Sequence, residues 1–413
     1  MSKIKITNFG PIKEGYLDDG GFIDIKKVTV FIGNQGSGKS TIAKVISTIA
    51  WLEKALNRGD MSAPKSLYDF QKYFEYQNLK GYFNNNTTIE YYGESFNIIY
   101  NKADSPFTIT HKNETLNYIV PKIMYVPSER NFLSVIKNAT GVRGLPAPLF
   151  EFAEELKRGQ NEFNGKEIPL PINGVNYKYD KDSDSSYIIG NDFNINLLVA
   201  SSGFQSLVPL FLVSLSLAEI IKNGADINPD NISVDQSIRM NNEISKVLFD
   251  YTLTDAKKIE KSNEIRAKFQ NRAFINIVEE PEQNLFPSSQ HQILNCLLEF
   301  NNMNEGNKLI MTTHSPYLIN YLTHAVKASI VLEKINKSNN KIELTKKLDK
   351  IVPVNSIVGA NEWVVYELNE SDGSIIKLKD YKHLPSDENY LNESLGKSND
   401  IFINLLEIED LCR

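Results

Sequence analysis

The sequence predicts an α/β protein: a mainly parallel sheet flanked by helices, with an antiparallel β-rich insertion and a small C-terminal extension. Three patterns predict it. Apolar runs at residues 28–32, 274–278 and 308–311 have strand length and are apolar on both faces, as strands covered by helices on two sides must be. Helical stretches alternate with these runs, the order of strand–helix–strand crossovers. Segments at 89–92, 96–100 and 107–110 instead alternate apolar and polar residues, as an antiparallel meander does.

Along the chain, residues 4–6 and 27–32 read as strands separated by a turn-rich stretch between Gly10 and Gly21. Residues 41–56 read as a helix, and the polar Asn84-Asn85-Asn86 precedes the meander. Residues 122–126 form a short apolar strand that Pro127 ends. Residues 149–158 are helical, and 175–179, 186–189 and 193–199 return to strand pattern. The stretch 207–221 is the most apolar; at about 15 residues it is short for a bilayer span and reads as a buried core helix. A charged helical region covers 236–269, and a helix at 288–300 separates the last two apolar runs. A hairpin at 364–368 and 375–378 turns at Asp372-Gly373, and an amphipathic helix lies near 401–411. The expected division is a discontinuous core of 1–60 and 197–350, an insertion of 61–196 and a C-terminal extension of 351–413.

Composition excludes several classes. The 413 residues suffice for a large buried core, and the formal charge of −6 asks for neither a nucleic-acid nor a membrane surface. The two cysteines, Cys296 and Cys412, make no disulfide framework; Cys296 sits in an apolar run and reads as a buried thiol. No apolar leader opens the chain, so a cytoplasmic protein is expected.

Four motifs carry chemistry. Gly33-Asn34-Gln35-Gly36-Ser37-Gly38-Lys39-Ser40 matches G-x-x-x-x-G-K-[ST] between an apolar strand and a helix, the context that motif requires. Its glycines let backbone N–H groups curl around phosphates, and the helix N-terminus favours anions. Lys39 is expected on the β- and γ-phosphates, the Ser40 hydroxyl on Mg²⁺, and Thr41 in the same nucleotide-binding loop. The run at 274–278 ends in Glu279-Glu280-Pro281-Glu282. Glu279 is expected to hold Mg²⁺ through water and Glu280 to orient or deprotonate the attacking water. Alone, the pair would be an acidic turn after a strand; downstream of a phosphate loop it reads as catalytic. The run at 308–311 leads to His314, expected at the γ-phosphate or the attacking water. His111, His291, His324 and His383 have no such context.

The fourth motif is Ser201-Ser202-Gly203-Phe204-Gln205-Ser206. Taken alone it is a serine cap of a buried helix. Within the order glycine loop, Ser-Gly, Glu-Glu, His, it reads as a segment whose Ser202, Gly203 and Gln205 face the γ-phosphate of nucleotide bound by a second copy. Asp180-Lys181-Asp182-Ser183-Asp184 begins with a calcium-loop rhythm. Ser185 stands where the sharp-turn glycine belongs and Asn191 where the final glutamate belongs, so a hairpin turn is expected. The lysines at 257–261 alternate with acids and read as a solvated helix face.

Together the motifs resemble ABC-type ATPases of the SMC, RecF and OLD (overcoming lysogenization defect) group. Glu279-Glu280-Pro281-Glu282-Gln283-Asn284-Leu285-Phe286-Pro287 followed by Thr312-Thr313-His314-Ser315-Pro316 looks most like the OLD-like branch. Tyr125-Val126-Pro127-Ser128-Glu129-Arg130 resembles a segment of bacterial defence ATPases; it stands where the Q-loop belongs, without a glutamine. The resemblance implies an ABC-type core, Mg-dependent ATP hydrolysis and a homodimer or larger assembly with ATP between protomers. After His314 there is Glu333 but no Asp-x-Asp, so no Toprim nuclease is expected. The implied relatives are ATPase subunits of two-gene anti-phage systems such as PARIS (phage anti-restriction-induced system). Their partners would be a separate Toprim or HNH effector and a phage protein trigger. Two other readings stand beside this one. A RecF- or SMC-like DNA-repair clamp predicts sustained heptads or a basic DNA face. A non-catalytic nucleotide-gated scaffold would not need Glu280.

Overall fold

The computed structural model describes residues 2–64, 66–101, 105–112, 118–224 and 234–412. Residues 65, 102–104 and 113–117 of the expected insertion and 225–233 of the expected core lie outside that set, as do Met1 and Arg413 of the outer segments.

The strands in chain order are β1 (Ser2–Phe9), β2 (Gly15–Tyr16), β3 (Ile23–Ile25), β4 (Val28–Gly33), β5 (Phe83–Tyr92), β6 (Phe96–Asn101), β7 (Ser105–His111) and β8 (Pro121–Val126). They continue with β9 (Glu167–Pro169), β10 (Asn176–Asp180), β11 (Ser185–Ile189), β12 (Asn194–Asn196), β13 (Ala273–Glu279), β14 (Lys308–Thr313), β15 (Trp363–Leu368) and β16 (Ser374–Lys377). The helices are α1 (Lys39–Asn57), α2 (Leu67–Tyr73), α3 (Ala147–Glu162), α4 (Ser202–Lys222) and α5 (Val234–Leu248). After them come α6 (Asp255–Phe269), α7 (Pro287–Asn302), α8 (Pro316–Asn336), α9 (Lys341–Asp349) and α10 (Tyr390–Leu411).

The central sheet has seven strands in the order β2-β16-β15-β4-β14-β13-β8. The run from β15 to β8 is parallel throughout, and β16 turns antiparallel against β15. The expected α/β class with a mainly parallel sheet is therefore what the chain adopts. Alternation sorts its side chains. Val28, Val30 and Ile32 of β4 face a cluster that includes Leu212 of α4 and Leu294 of α7. Phe31 faces a second cluster with Ile42 and Ile46 of α1. A five-stranded antiparallel sheet, β3-β1-β5-β6-β7, closes that second face, and β9–β12 form a four-stranded antiparallel sheet against the first.

This sheet cuts across the division read from the sequence. β8 comes from the 61–196 stretch and β15 and β16 from the 351–413 stretch, yet all three are strands of the central sheet. Likewise β1, from the first segment, pairs with β5 of the meander. Parallel partners far apart in sequence leave no local signal of this kind.

Three local expectations are adjusted. The strand pattern at 193–199 stops at Asn196, whose side chain accepts from the Leu198 N–H and starts a 3-10 turn. The charged region at 236–269 is two helices, α5 and α6, with Thr254 capping the second. The apolar stretch at 207–221 lies within the 21-residue α4, which is long and apolar enough to cross a membrane; that 72% of its most apolar window is buried makes it a core helix. Pro209 inside α4 has no N–H for the carbonyl of Gln205, and the Ser134 hydroxyl donates to that carbonyl instead, at 2.7 Å. The acidic repeat at 180–184 is the expected hairpin turn between β10 and β11. Cys296 is half-buried, and burial pushes its thiol up to about 12. From Leu395 onward the apolar side chains of α10 are exposed.

Candidate functional site

The site forms where β4, β13 and β14, adjacent and parallel, present their C-terminal ends, the place where open α/β sheets hold ligands. β4 delivers the loop from Gly33 to Gly38, and α1 starts at Lys39. Gly33, Gly36 and Gly38 have φ of 142°, 79° and 103°. At Gly33 the requirement is doubled, because a Cβ there would sit 2.4 Å from the Leu368 carbonyl of β15. The Lys39 ammonium lies inside the loop, donating to the carbonyls of Gly33 (3.0 Å) and Asn34 (2.8 Å). Burial lowers its pKa to about 8, against the pull of Glu280, Glu282, Glu370 and Glu279. The Ser37 hydroxyl is buried without a partner, and Ser40 is exposed at the helix start. Asn34 donates to Glu370 just beyond β15 and accepts from the Gln35 N–H.

β13 places Glu279 at its last position, in register with Thr312. The carboxylate is buried and accepts from the Tyr125 hydroxyl of β8 and, at 3.3 Å, from the Ser128 N–H. Glu280 follows with φ of 45°, the left-handed region that costs a branched or long side chain energy. Its N–H donates to the Thr312 carbonyl, which holds the turn while the side chain swings toward His314. The Glu280 carboxylate is 3.6 Å from His314 Nε2. Burial and then Lys39 push the His314 pKa down, so the imidazole is neutral at neutral pH. Glu282 ties the two strand ends together, accepting from the Thr313 hydroxyl and the His314 N–H, both at 2.8 Å.

Arg130 was not assigned a role by its sequence context. It is fully buried, and its guanidinium donates to four backbone carbonyls: Pro127 (3.2 Å), Ser206 (3.2 Å), Glu279 (2.7 Å) and Glu280 (2.6 Å). It therefore braces the strained Glu279–Glu280 turn against α4. Burial pulls its pKa down to about 10, still charged at neutral pH. Asn284 adds a second link, donating to the Ser206 hydroxyl at 2.9 Å. Tyr125, Glu282 and Arg130 fall within motifs visible in sequence, but the contacts that give them work span up to 154 residues.

The structure thus brings Gly33 through Thr41, Glu279, Glu280 and His314 together. The Ser201–Ser206 segment is joined to Glu279 and Glu280 through Arg130, which donates to the Ser206, Glu279 and Glu280 carbonyls, but not to the loop. Among the described residues no hydrogen bond or ion pair joins that segment to the loop at 33–41. Ser202 is exposed at the start of α4, and a Cβ on Gly203 would meet the Asn284 carbonyl at 3.1 Å. Gln205 is held within its own chain. Its amide nitrogen donates to the carbonyls of Leu197 (3.2 Å) and Leu198 (3.0 Å), which anchors the preceding turn.

No family model matches the chain, and no curated protein matches it. Similar solved structures are the SMC head domain from Thermotoga maritima and a dimeric post-hydrolysis state of the ATP-binding cassette MJ0796 bound to ADP and Pi. The first is 11% identical over 92% of this chain and 98% of that one, with a TM-score of 0.38. The second is 12% identical over 92% and 100%, with a TM-score of 0.30. A Smc head domain with an extended coiled coil, bound to the C-terminal domain of ScpA derived from Pyrococcus furiosus, is 9% identical over 98% and 100%, with a TM-score of 0.39. At these values the chain's own geometry carries the functional argument.

Proposed function

We propose that this chain is an ABC-type ATPase that binds and hydrolyses Mg·ATP at the loop of residues 33–41, between two copies of itself. The carrying observation is the convergence of Lys39, Glu279, Glu280 and His314 at the ends of three adjacent parallel strands. The loop fits a polyphosphate. Its glycines leave the N–H groups uncovered, the Ser37 hydroxyl has no partner, and Lys39 rests on carbonyls that a phosphate would replace. The Ser40 hydroxyl and the Glu279 carboxylate would hold Mg²⁺, which when bound neutralises phosphate charge. Glu280 accepts the proton of the attacking water, and neutral His314, beside it, donates a hydrogen bond to the γ-phosphate or orients that water. Ser202 and Gly203, exposed or at a helix start and unconnected to their own loop, face the nucleotide of the second copy.

A finer reading rests on the resemblance at 125–130 and 279–287. The chain acts as the sensor or scaffold subunit of an anti-phage system and controls a separate effector nuclease or toxin. Both stretches that carry the resemblance belong to one bonded network through Tyr125, Arg130 and Glu279. The nucleotide site shared between two copies is tested by sedimentation of Glu280→Gln with ATP and with ADP. ATP with Mg²⁺ doubles the mass, ADP does not, and Ser202→Arg abolishes the doubling. Bound ATP with an unchanged mass would contradict the shared site.

Lys39 gives a pH dependence. In the empty site its pKa is about 8, and phosphates raise it, so binding takes up a proton wherever the empty lysine is neutral. The Kd for ATP is therefore flat below about pH 7 and rises above about pH 8, by at most about tenfold per unit. Fluorescent-nucleotide titrations across that range check the sign; tighter binding at high pH would refute it.

A further inference from the structure

A cavity of about 270 Å³ opens on the flank of α1. Trp51 of α1, Tyr73 of α2, Tyr76, and Ile123 and Tyr125 of β8 line it. Trp51 lies twelve residues beyond Lys39, about 18 Å along the helix at roughly 1.5 Å per residue, so this is not the phosphate loop. The Trp51 and Tyr73 rings stand 5.9 Å apart between centroids, tilted by 41°. Gln77 lines the same cavity and is 1% exposed, yet neither atom of its amide has a hydrogen-bond partner. Leaving such an amide unpaired is costly, which a merely structural side chain would avoid by being apolar.

We propose that this cavity binds a purine base as a free base or nucleoside, and that its occupancy is felt at Glu279 through Tyr125. Flat aromatic walls suit the faces of a ring system. A glutamine amide pairs bidentately with an edge that sets a donor beside an acceptor, as adenine does at N6 and N7. The volume lies at the small end of ligand pockets, the scale of a base with its sugar. Polyphosphate is disfavoured, because Lys72 at the rim is matched by Asp69 at 3.8 Å and by Glu151, which accepts from the Tyr76 hydroxyl. Tyr125 both lines the cavity and donates to Glu279, so a ligand against its ring meets the carboxylate end of β13 one hydrogen bond away.

The probe is adenosine, and the reporter is Trp51 emission in a Trp363→Phe background, where Trp51 is the sole tryptophan. Adenosine quenches that emission saturably, and the quench survives saturating Mg·ATP, which fills the phosphate-loop site and so separates this cavity from it. Gln77→Leu weakens it by about tenfold or more, and Tyr73→Ala, which removes a half-exposed wall, abolishes it. In the wild type adenosine alters ATP turnover; Tyr125→Phe still binds adenosine but its turnover no longer responds. The site is overturned if millimolar adenosine gives no saturable quench, if the quench is lost when Mg·ATP saturates the phosphate-loop site, or if it is undiminished in Gln77→Leu and Tyr73→Ala. Coupling is overturned if adenosine quenches Trp51 without changing turnover. The quench needs no hydrolysis, so its failure is distinct from failure of the ATPase reading.

Discussion

Glu280→Gln lowers ATP turnover by about 10²–10⁴-fold while leaving ATP affinity nearly unchanged. The amide keeps the size and the backbone turn, whose N–H still donates to Thr312 and whose carbonyl still accepts from Arg130. What it loses is the carboxylate proposed as proton acceptor, 3.6 Å from His314 Nε2. The substitution also removes a negative charge that raises the His314 pKa, so the imidazole stays neutral over a wider range. Phosphate release and equilibrium nucleotide binding, measured side by side, separate the two effects. Equal losses of binding and turnover would place Glu280 in nucleotide binding instead of water activation.

Arg130→Met costs about 3–5 kcal/mol of folding stability, read as a shift in denaturant midpoint. The guanidinium is fully buried and serves four carbonyls from three segments of chain. Methionine fills much of the space but leaves those acceptors without a donor. Arg130→Lys retains the charge but not the planar fork, and it recovers only part of the loss. Because two of the four carbonyls belong to Glu279 and Glu280, the lysine variant also loses turnover while it remains folded. A midpoint shift worth less than about 1 kcal/mol would show that water replaces the guanidinium.

The site's main parts were legible because their chemistry is local. A glycine loop between a strand and a helix, and acids at the end of an apolar run, are written within eight or nine consecutive residues. β15 was legible as a strand but not as the neighbour of β4, since the pairing of Trp363 with Val28 joins chain ends that no window contains. Arg130 and Tyr125 stood in a recognisable segment, but their partners lie about 150 residues away. Gln205 shows another limit of local reading: a short pattern suggested a contact with a second copy's nucleotide and gave no sign that its amide also anchors the turn at Leu197 and Leu198 of its own chain. Local residue types announce the chemistry a segment can perform; which neighbour uses it is settled by the sheet.

The most direct measurement is ATP binding together with phosphate release by the purified chain with Mg²⁺, for the wild type and Lys39→Ala. The expected result is that the wild type binds ATP and releases phosphate, whereas Lys39→Ala, folded by circular dichroism, loses both, because in the proposed site the ammonium now held by Gly33 and Asn34 meets the phosphates. A wild type that binds no ATP, or a Lys39→Ala variant that turns over equally well, would contradict the assignment of this site.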